Sequence, residues 1–173
     1  LLFWLFKISP PNEKKIIIDI SHSPEKTFWD TIKTSEKSIV ATHSCCYSLC
    51  PHPRNLKDEQ IKAIAEKQGI IGVCYCTSFL SKTGTAGTKE IAKHIAYIAN
   101  LVGVDYVGLG SDFDGLETED IPTNLKSIGQ IDNLIQELYN IGFHKKEVEK
   151  IMGENWLMSM GGQWRRRFLT IFL

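Results

Sequence analysis

The sequence has no excess of charge of either sign. Its 20 Lys and Arg balance 20 Asp and Glu across 173 residues. A nucleic-acid surface would show a basic excess and a solvating tail an acidic run, so neither class of partner is indicated. Cysteines number five, an odd count that argues against a closed disulfide framework. Cys45, Cys46, Cys50, Cys74 and Cys76 also lack the paired CxxC spacing of a structural zinc site. They read as reduced thiols packed as small apolar groups. No apolar run is long enough to span a bilayer. The opening run Leu1 to Ile8 has no basic residue before it and no small-residue cleavage site, so it makes a poor signal peptide. Arg165 to Leu173 is likewise too short to span. With no export, spanning or lipid-anchor signal read, the default compartment is the cytoplasm. Both ends read as ragged edges of a fragment or gene model.

What is present is an ordinary globular composition, 43% hydrophobic. Pro10 and Pro11 break the opening segment, and Ile16 to Ile20 then reads as a buried β-branched strand. Ser23-Pro24-Glu25 reads as an N-cap followed by proline at the first helical position, opening a helix that runs to about Ser35. Ser38 to Thr42 is a second strand. A loop with Pro51 and Pro53 precedes a helix opened by Asp58-Glu59-Gln60 and ending near Gly69. Ile70 to Cys76 is a third strand. Thr88 is expected to cap a helix with Ile91, Ile95, Ile98, Ala99 and Val102 on one face, closed by Gly103. Tyr106 to Gly110 is a fourth strand, followed by helical stretches at 131–141 and 145–152. Strands alternating with helices predict a parallel α/β sheet covered on both faces. A doubly wound open sheet and part of a (β/α)₈ barrel both satisfy that pattern.

The informative residues stand just after the strands. Asp19-Ile20-Ser21-His22-Ser23 follows the first, Thr42-His43-Ser44 the second and Gly110-Ser111-Asp112-Phe113-Asp114-Gly115 the fourth. Active sites of both architectures lie at the carboxyl ends of strands. His22, His43 and Asp112 can therefore converge, and imidazole with carboxylate suits zinc. A single histidine in such a place more often caps or faces solvent, so the case rests on the set. Asp19 is close enough in sequence to influence His22. Arg54 reads either as a surface arginine pairing with Asp58 or Glu59, or as a bidentate clamp for a carboxylate. His94 reads as structural at a helix contact, and His52 and His144 as loop and surface residues. Gly108-Leu109-Gly110-Ser111-Asp112 lacks the third glycine and the Lys-Ser/Thr of a phosphate loop.

These blocks resemble the membrane (renal) dipeptidase family of zinc metallopeptidases. The resemblance is carried by Ile18 to Ser23, Thr42-His43-Ser44, Pro53-Arg54-Asn55-Leu56, Asp58 to Ile61, Lys93-His94-Ile95, Val102 to Gly108, Gly110 to Gly115 and Gly153-Glu154-Asn155-Trp156-Leu157. It implies the C-terminal half of a (β/α)₈ TIM-type barrel, about four β/α units, within residues 13–158. It implies zinc-dependent hydrolysis of dipeptides at a site that holds two Zn²⁺ when complete. His22 and His43 correspond to the ligands of one zinc, Arg54 to the group that binds the substrate carboxylate, and Asp112 to the acid beside the scissile bond that moves a proton. The dipeptide is the partner implied, and a homodimer is the assembly the family admits.

The sequence also departs from the family. It has no His-x-Asp, and neither the bridging glutamate nor a further substrate-binding histidine has a counterpart. Residues 1–12 and 159–173 do not match the family's pattern. The expectation is a partial barrel that retains one ligand pair and is inactive alone. The alternative is a non-catalytic remnant or binding module that keeps the fold without a complete metal site. A phosphate-binding α/β protein is a third reading, and it requires a helix N-terminus beside Gly110.

Overall fold

The computed structural model describes residues 17–159. The segments expected to stand apart, 1–12 and 159–173, lie outside these residues except for Ser159. Four short parallel strands alternate with helices. They are β1 (Ile18–Asp19), β2 (Ile39–Val40), β3 (Ile71–Val73) and β4 (Val107–Leu109). β1 pairs with β2 and β3 with β4, all parallel. A parallel bridge between Ala41 and Ile71 joins the two pairs. The spatial order is therefore the chain order, with no reversal. Among the described strands there is no reversal of the kind that marks the switch point of a doubly wound sheet. Crossovers between parallel neighbours are right-handed as a rule, and in this strand order that rule puts the helices on one face, as in the winding of a barrel.

The helices follow their apolar stripes. α1 (Glu25–Thr34) buries Phe28 and Thr31, and α2 (Asp58–Glu66) buries Ile61 and Ile64. A short α3 (Thr77–Leu80) follows β3. α4 (Thr88–Val102) presents Ile91, Ala92, Ile95 and Ile98, all fully buried. Each such isoleucine contributes roughly 1.5–3 kcal/mol of burial. Beyond β4, α5 (Ile131–Asn140) adds Leu134 and Leu138 to the same core. α6 (Lys145–Glu149) leads through a wide turn at Lys150–Glu154 into α7 (Asn155–Ser159).

Two caps differ from expectation. Pro24, not Ser23, occupies the N-cap of α1, and the backbone N–H of Ser23 instead donates to Ile20 O at 3.0 Å. Gly87, not Thr88, is the N-cap of α4. Glu90 there accepts the Gly87 N–H at 3.0 Å, and Asn124 Oδ1 accepts the Thr88 N–H at 2.9 Å. A loop far along the chain thus completes a cap that looked local.

The Asn155-Trp156 pair, part of a block that carries the family resemblance, binds carbonyl groups along the outer edge of β4. Asn155 Nδ2 donates to Val104 O at 2.7 Å and Val107 O at 2.8 Å, and Trp156 Nε1 donates to Leu109 O at 3.1 Å. The indole lies over Gly72 and Gly108, where an added Cβ would stand 3.0 and 2.6 Å from ring atoms. All five cysteines are free and buried, as expected of packed thiols. His94 is 1% exposed and uses both ring nitrogens. Nδ1 accepts the Cys46 N–H at 3.0 Å, so Nε2, 3.1 Å from Leu80 O, carries the proton and donates. This is the structural role read for it.

Two measurements test this packing. At Gly110 a Cβ would stand 1.9 Å from the Thr42 carbonyl oxygen. Gly110→Ala must push β2 and β4 apart and is expected to cost about 2 kcal/mol or more in urea unfolding. Burial lowers the His94 pKa from 6.5 to about 4. The unfolded chain therefore binds more protons between those values. The His94 contribution is complete above pH 6.5 and is lost as pH falls towards 4. The urea midpoint of the wild type should decline over that window by the equivalent of about 3 kcal/mol, and His94→Gln should lack this part of the slope.

Candidate active site

His22 and His43 meet at the carboxyl ends of β1 and β2. Their Nε2 atoms are 2.8 Å apart, with ring centroids 4.9 Å apart. The hydrogen inventory around them assigns both tautomers. Asp19 Oδ2 is an acceptor 2.5 Å from Thr42 Oγ1, so the one hydroxyl hydrogen of Thr42 goes to the carboxylate. Thr42 Oγ1 must then accept from His43 Nδ1, 2.8 Å away. His43 carries its proton on Nδ1 and presents a lone pair at Nε2. On the other ring, Arg54 Nη2 lies 3.1 Å from His22 Nε2. A guanidinium can only donate, so His22 Nε2 is also a lone pair.

Two acceptor nitrogens therefore face each other across 2.8 Å. Neither can donate to the other, and a shared cation would take the single His22 Nε2 lone pair from Arg54 and join the two rings. The separation is below twice a zinc–nitrogen bond of roughly 2.0–2.1 Å, so one ion can bond to both. The donor chemistry thus fits zinc, but the set is short. Among the described residues no group of three His, Cys, Asp or Glu side chains is placed to hold a metal ion. A zinc site needs at least three protein ligands.

Asp112 reaches the pair from β4, with Oδ2 3.9 Å from His43 Nε2. Its backbone is left-handed, with φ 58° and ψ 28°. Gly115 leaves room beside the carboxylate, since a Cβ there would stand 2.7 Å from Asp112 Oδ1. The segment after Gly110 continues into a single 3₁₀ turn, Phe113–Gly115, and not into an α-helix. The phosphate-loop reading required a helix N-terminus at that place and fails.

Arg54 is not tied to Asp58 or Glu59. Asp58 instead accepts from Ser48 Oγ at 2.8 Å and Tyr97 OH at 2.8 Å. Arg54 Nη1 donates to the Ser21 carbonyl oxygen, and the guanidinium carbon lies 5.7 Å from the centre of the Phe79 ring. His52 stacks on that same ring at 4.5 Å and accepts the Arg54 N–H on Nδ1 at 3.2 Å. His52 is therefore a support of the arginine loop and not merely a loop residue.

Asp19 engages His43 through Thr42, where proximity in sequence had pointed to His22. Burial alone would raise its pKa, but hydrogen bonds from Thr42 and Ser21 outweigh that and hold the carboxyl below its usual value. Burial lowers the His43 pKa although the Asp112 and Asp19 carboxylates act the other way. The ring therefore favours the neutral form that a ligand requires. Thr42 was overlooked as a functional residue. The one available signal was a hydroxyl directly preceding a candidate ligand.

The membrane dipeptidase family (peptidase family M19) matches residues 8–163. The chain belongs to that family. An uncharacterized protein in the pqqA 5′ region of Klebsiella pneumoniae is 37% identical over 92% of this chain and 59% of its own length. The dipeptidase ataJ of Aspergillus terreus is 36% identical over 83% of this chain and 35% of its own. A metallopeptidase from Rhodobacter sphaeroides, solved with a phosphinate mimic of the dipeptide L-Ala-D-Ala, superposes with a TM-score of 0.83 at 32% identity. That superposition covers 89% of this chain and 44% of the other. The chain thus spans about three-fifths or less of the length of these relatives. The shared fold is the TIM-barrel type, in agreement with the strand order.

The left-handed backbone at Asp112 makes a distinctive prediction. In regular structure alanine is favoured over glycine by about 0.5–1 kcal/mol. At Asp112 the order should reverse, with Asp112→Gly more stable than Asp112→Ala by about 1 kcal/mol in chemical denaturation.

Proposed function

We propose that this chain carries the second half of an eight-stranded barrel and one histidine pair of a zinc-dependent dipeptidase site. The facing lone pairs of His22 and His43 carry the reading. Family membership and the placement of Arg54 and Asp112 beside the pair support it. His22 and His43 would hold one zinc, with the remaining ligands supplied from outside the described residues. Bound zinc would polarise the scissile carbonyl and lower the pKa of water. Arg54 offers a planar fork for the terminal carboxylate of a dipeptide, with Phe79 supporting the guanidinium from one side. Asp112 keeps its side chain 31% exposed, so it can reach a substrate and pass a proton to the leaving amine. A small dipeptide such as Ala-Ala is the substrate class suggested by the Rhodobacter relative's ligand.

The two-ligand set also favours a second reading, a binding module that keeps the fold without turnover. One experiment separates them. Residues 17–159 replace the equivalent segment of the Rhodobacter metallopeptidase, and zinc-dependent hydrolysis of L-Ala-D-Ala is measured. The dipeptidase reading expects the chimera to be active and the His22→Ala chimera to lose at least about 100-fold, as for removal of a metal ligand. It expects the 173-residue chain alone to show no turnover with added zinc. A folded chimera without activity supports the binding module, and robust turnover by the isolated chain overturns the half-site.

A further inference from the structure

Behind His43 stands a carboxylate that touches neither ligand ring. We propose that Asp19 and Thr42 are positioning residues. Asp19 sets the tautomer of His43 through the Thr42 hydroxyl, and sets the spacing of the two rings through the strand ends that carry them. The inference rests on the reading of His22 and His43 as a metal-binding pair.

The tautomer follows from the direction of two hydrogen bonds. Because Asp19 only accepts, Thr42 gives it the hydroxyl hydrogen and keeps an acceptor for His43 Nδ1. The other nitrogen is thereby left bare. An imidazole free in water carries its proton mainly on Nε2, which would place a hydrogen where a ligand needs its lone pair. The relay reverses that preference before any ion arrives.

The spacing follows from the other carboxylate oxygen. Asp19 Oδ1 accepts from Ser21 N at 3.0 Å, Ser21 Oγ at 2.7 Å and Thr42 N at 3.0 Å. Ser21 and Thr42 are the residues that immediately precede His22 and His43. Ser21 Oγ also accepts the His43 N–H at 3.1 Å, closing the link between the two strand ends. Asp19 remains partly exposed, so these four bonds are not required merely to satisfy a buried charge. Their effect is to hold their donors in place.

The test reads the His43 tautomer directly, by nitrogen–proton correlation NMR of the imidazoles at pH 8 without added metal. Wild type and Thr42→Ser should both show Nδ1–H. Thr42→Val should move His43 towards Nε2–H. Asp19→Asn should invert it, because the amide that keeps its oxygen on the Thr42 N–H turns its NH₂ to the hydroxyl, which must then donate to Nδ1. In the Rhodobacter chimera, which supplies the remaining ligands, zinc titration against a chromophoric chelator should show affinity about 10–100-fold weaker with Thr42→Val and Asp19→Asn and unchanged with Thr42→Ser. Nε2–H in the wild type overturns the proposal, as does Nδ1–H retained in a Thr42→Val protein with wild-type thermal unfolding. Should Thr42→Val not fold, the contrast between Asp19→Asn and Thr42→Ser decides. Failure of the unsubstituted chimera to bind zinc would count against the metal-centre reading, while the tautomers would still judge the relay.

Discussion

Four hydrogen bonds converge on the Asp19 carboxylate, and the placement of both candidate ligands depends on them. Parallel strands pair through their backbones and leave their carboxyl ends free to splay. At β1 and β2 this side chain crosses the gap and joins the ends just before His22 and His43. Without it, the two imidazoles would sit on separate loop starts with independent freedom. With it, they face each other at hydrogen-bond distance although 21 residues apart.

A close-approaching backbone supports that clasp. Gly110 reaches the Thr42 carbonyl so closely that no side chain fits between them. The same approach brings Asp112 to the histidines from β4. On the far edge of the sheet, Asn155 and Trp156 take up carbonyl groups of β4 that would otherwise lack partners. Buried carbonyls left unpaired would cost about 1–3 kcal/mol each. These two carbonyls are thus satisfied from within the chain, and the strand that delivers Asp112 is held from both sides.

Neither of two clefts among the described residues is lined by His22 or His43. A cleft of about 760 Å³ lies at the start of α4, between Leu80, Lys89 and Asn124, away from the histidine pair. Its size carries no functional weight beside the converging donors. Chemistry locates the candidate centre here: two unprotonated imidazole nitrogens, an arginine fork and a carboxylate at strand ends. Membership of the membrane dipeptidase family rests on separate ground, and the strand order agrees with its barrel fold.

Much of this was legible in the residues. The apolar runs marked four strands because a sheet buried on both faces leaves no room for polar alternation. The Ser-His, Thr-His and Gly-Ser-Asp-Phe-Asp-Gly blocks marked the strand ends because parallel α/β folds expose chemistry there. Periodicity could not choose between a doubly wound sheet and a barrel, since both bury the same runs. Only the neighbour order of the strands decided it. Nor could spacing show that Asp19 reaches the His43 ring through Thr42, or that Asn124 completes the cap of α4. Those are contacts between segments 23 and 36 residues apart, created when the chain folds back on itself. The sequence by itself determined which groups were available and at which strand ends they stand. Tertiary structure decided which of them touch, because hydrogen-bond direction is a property of positions in space.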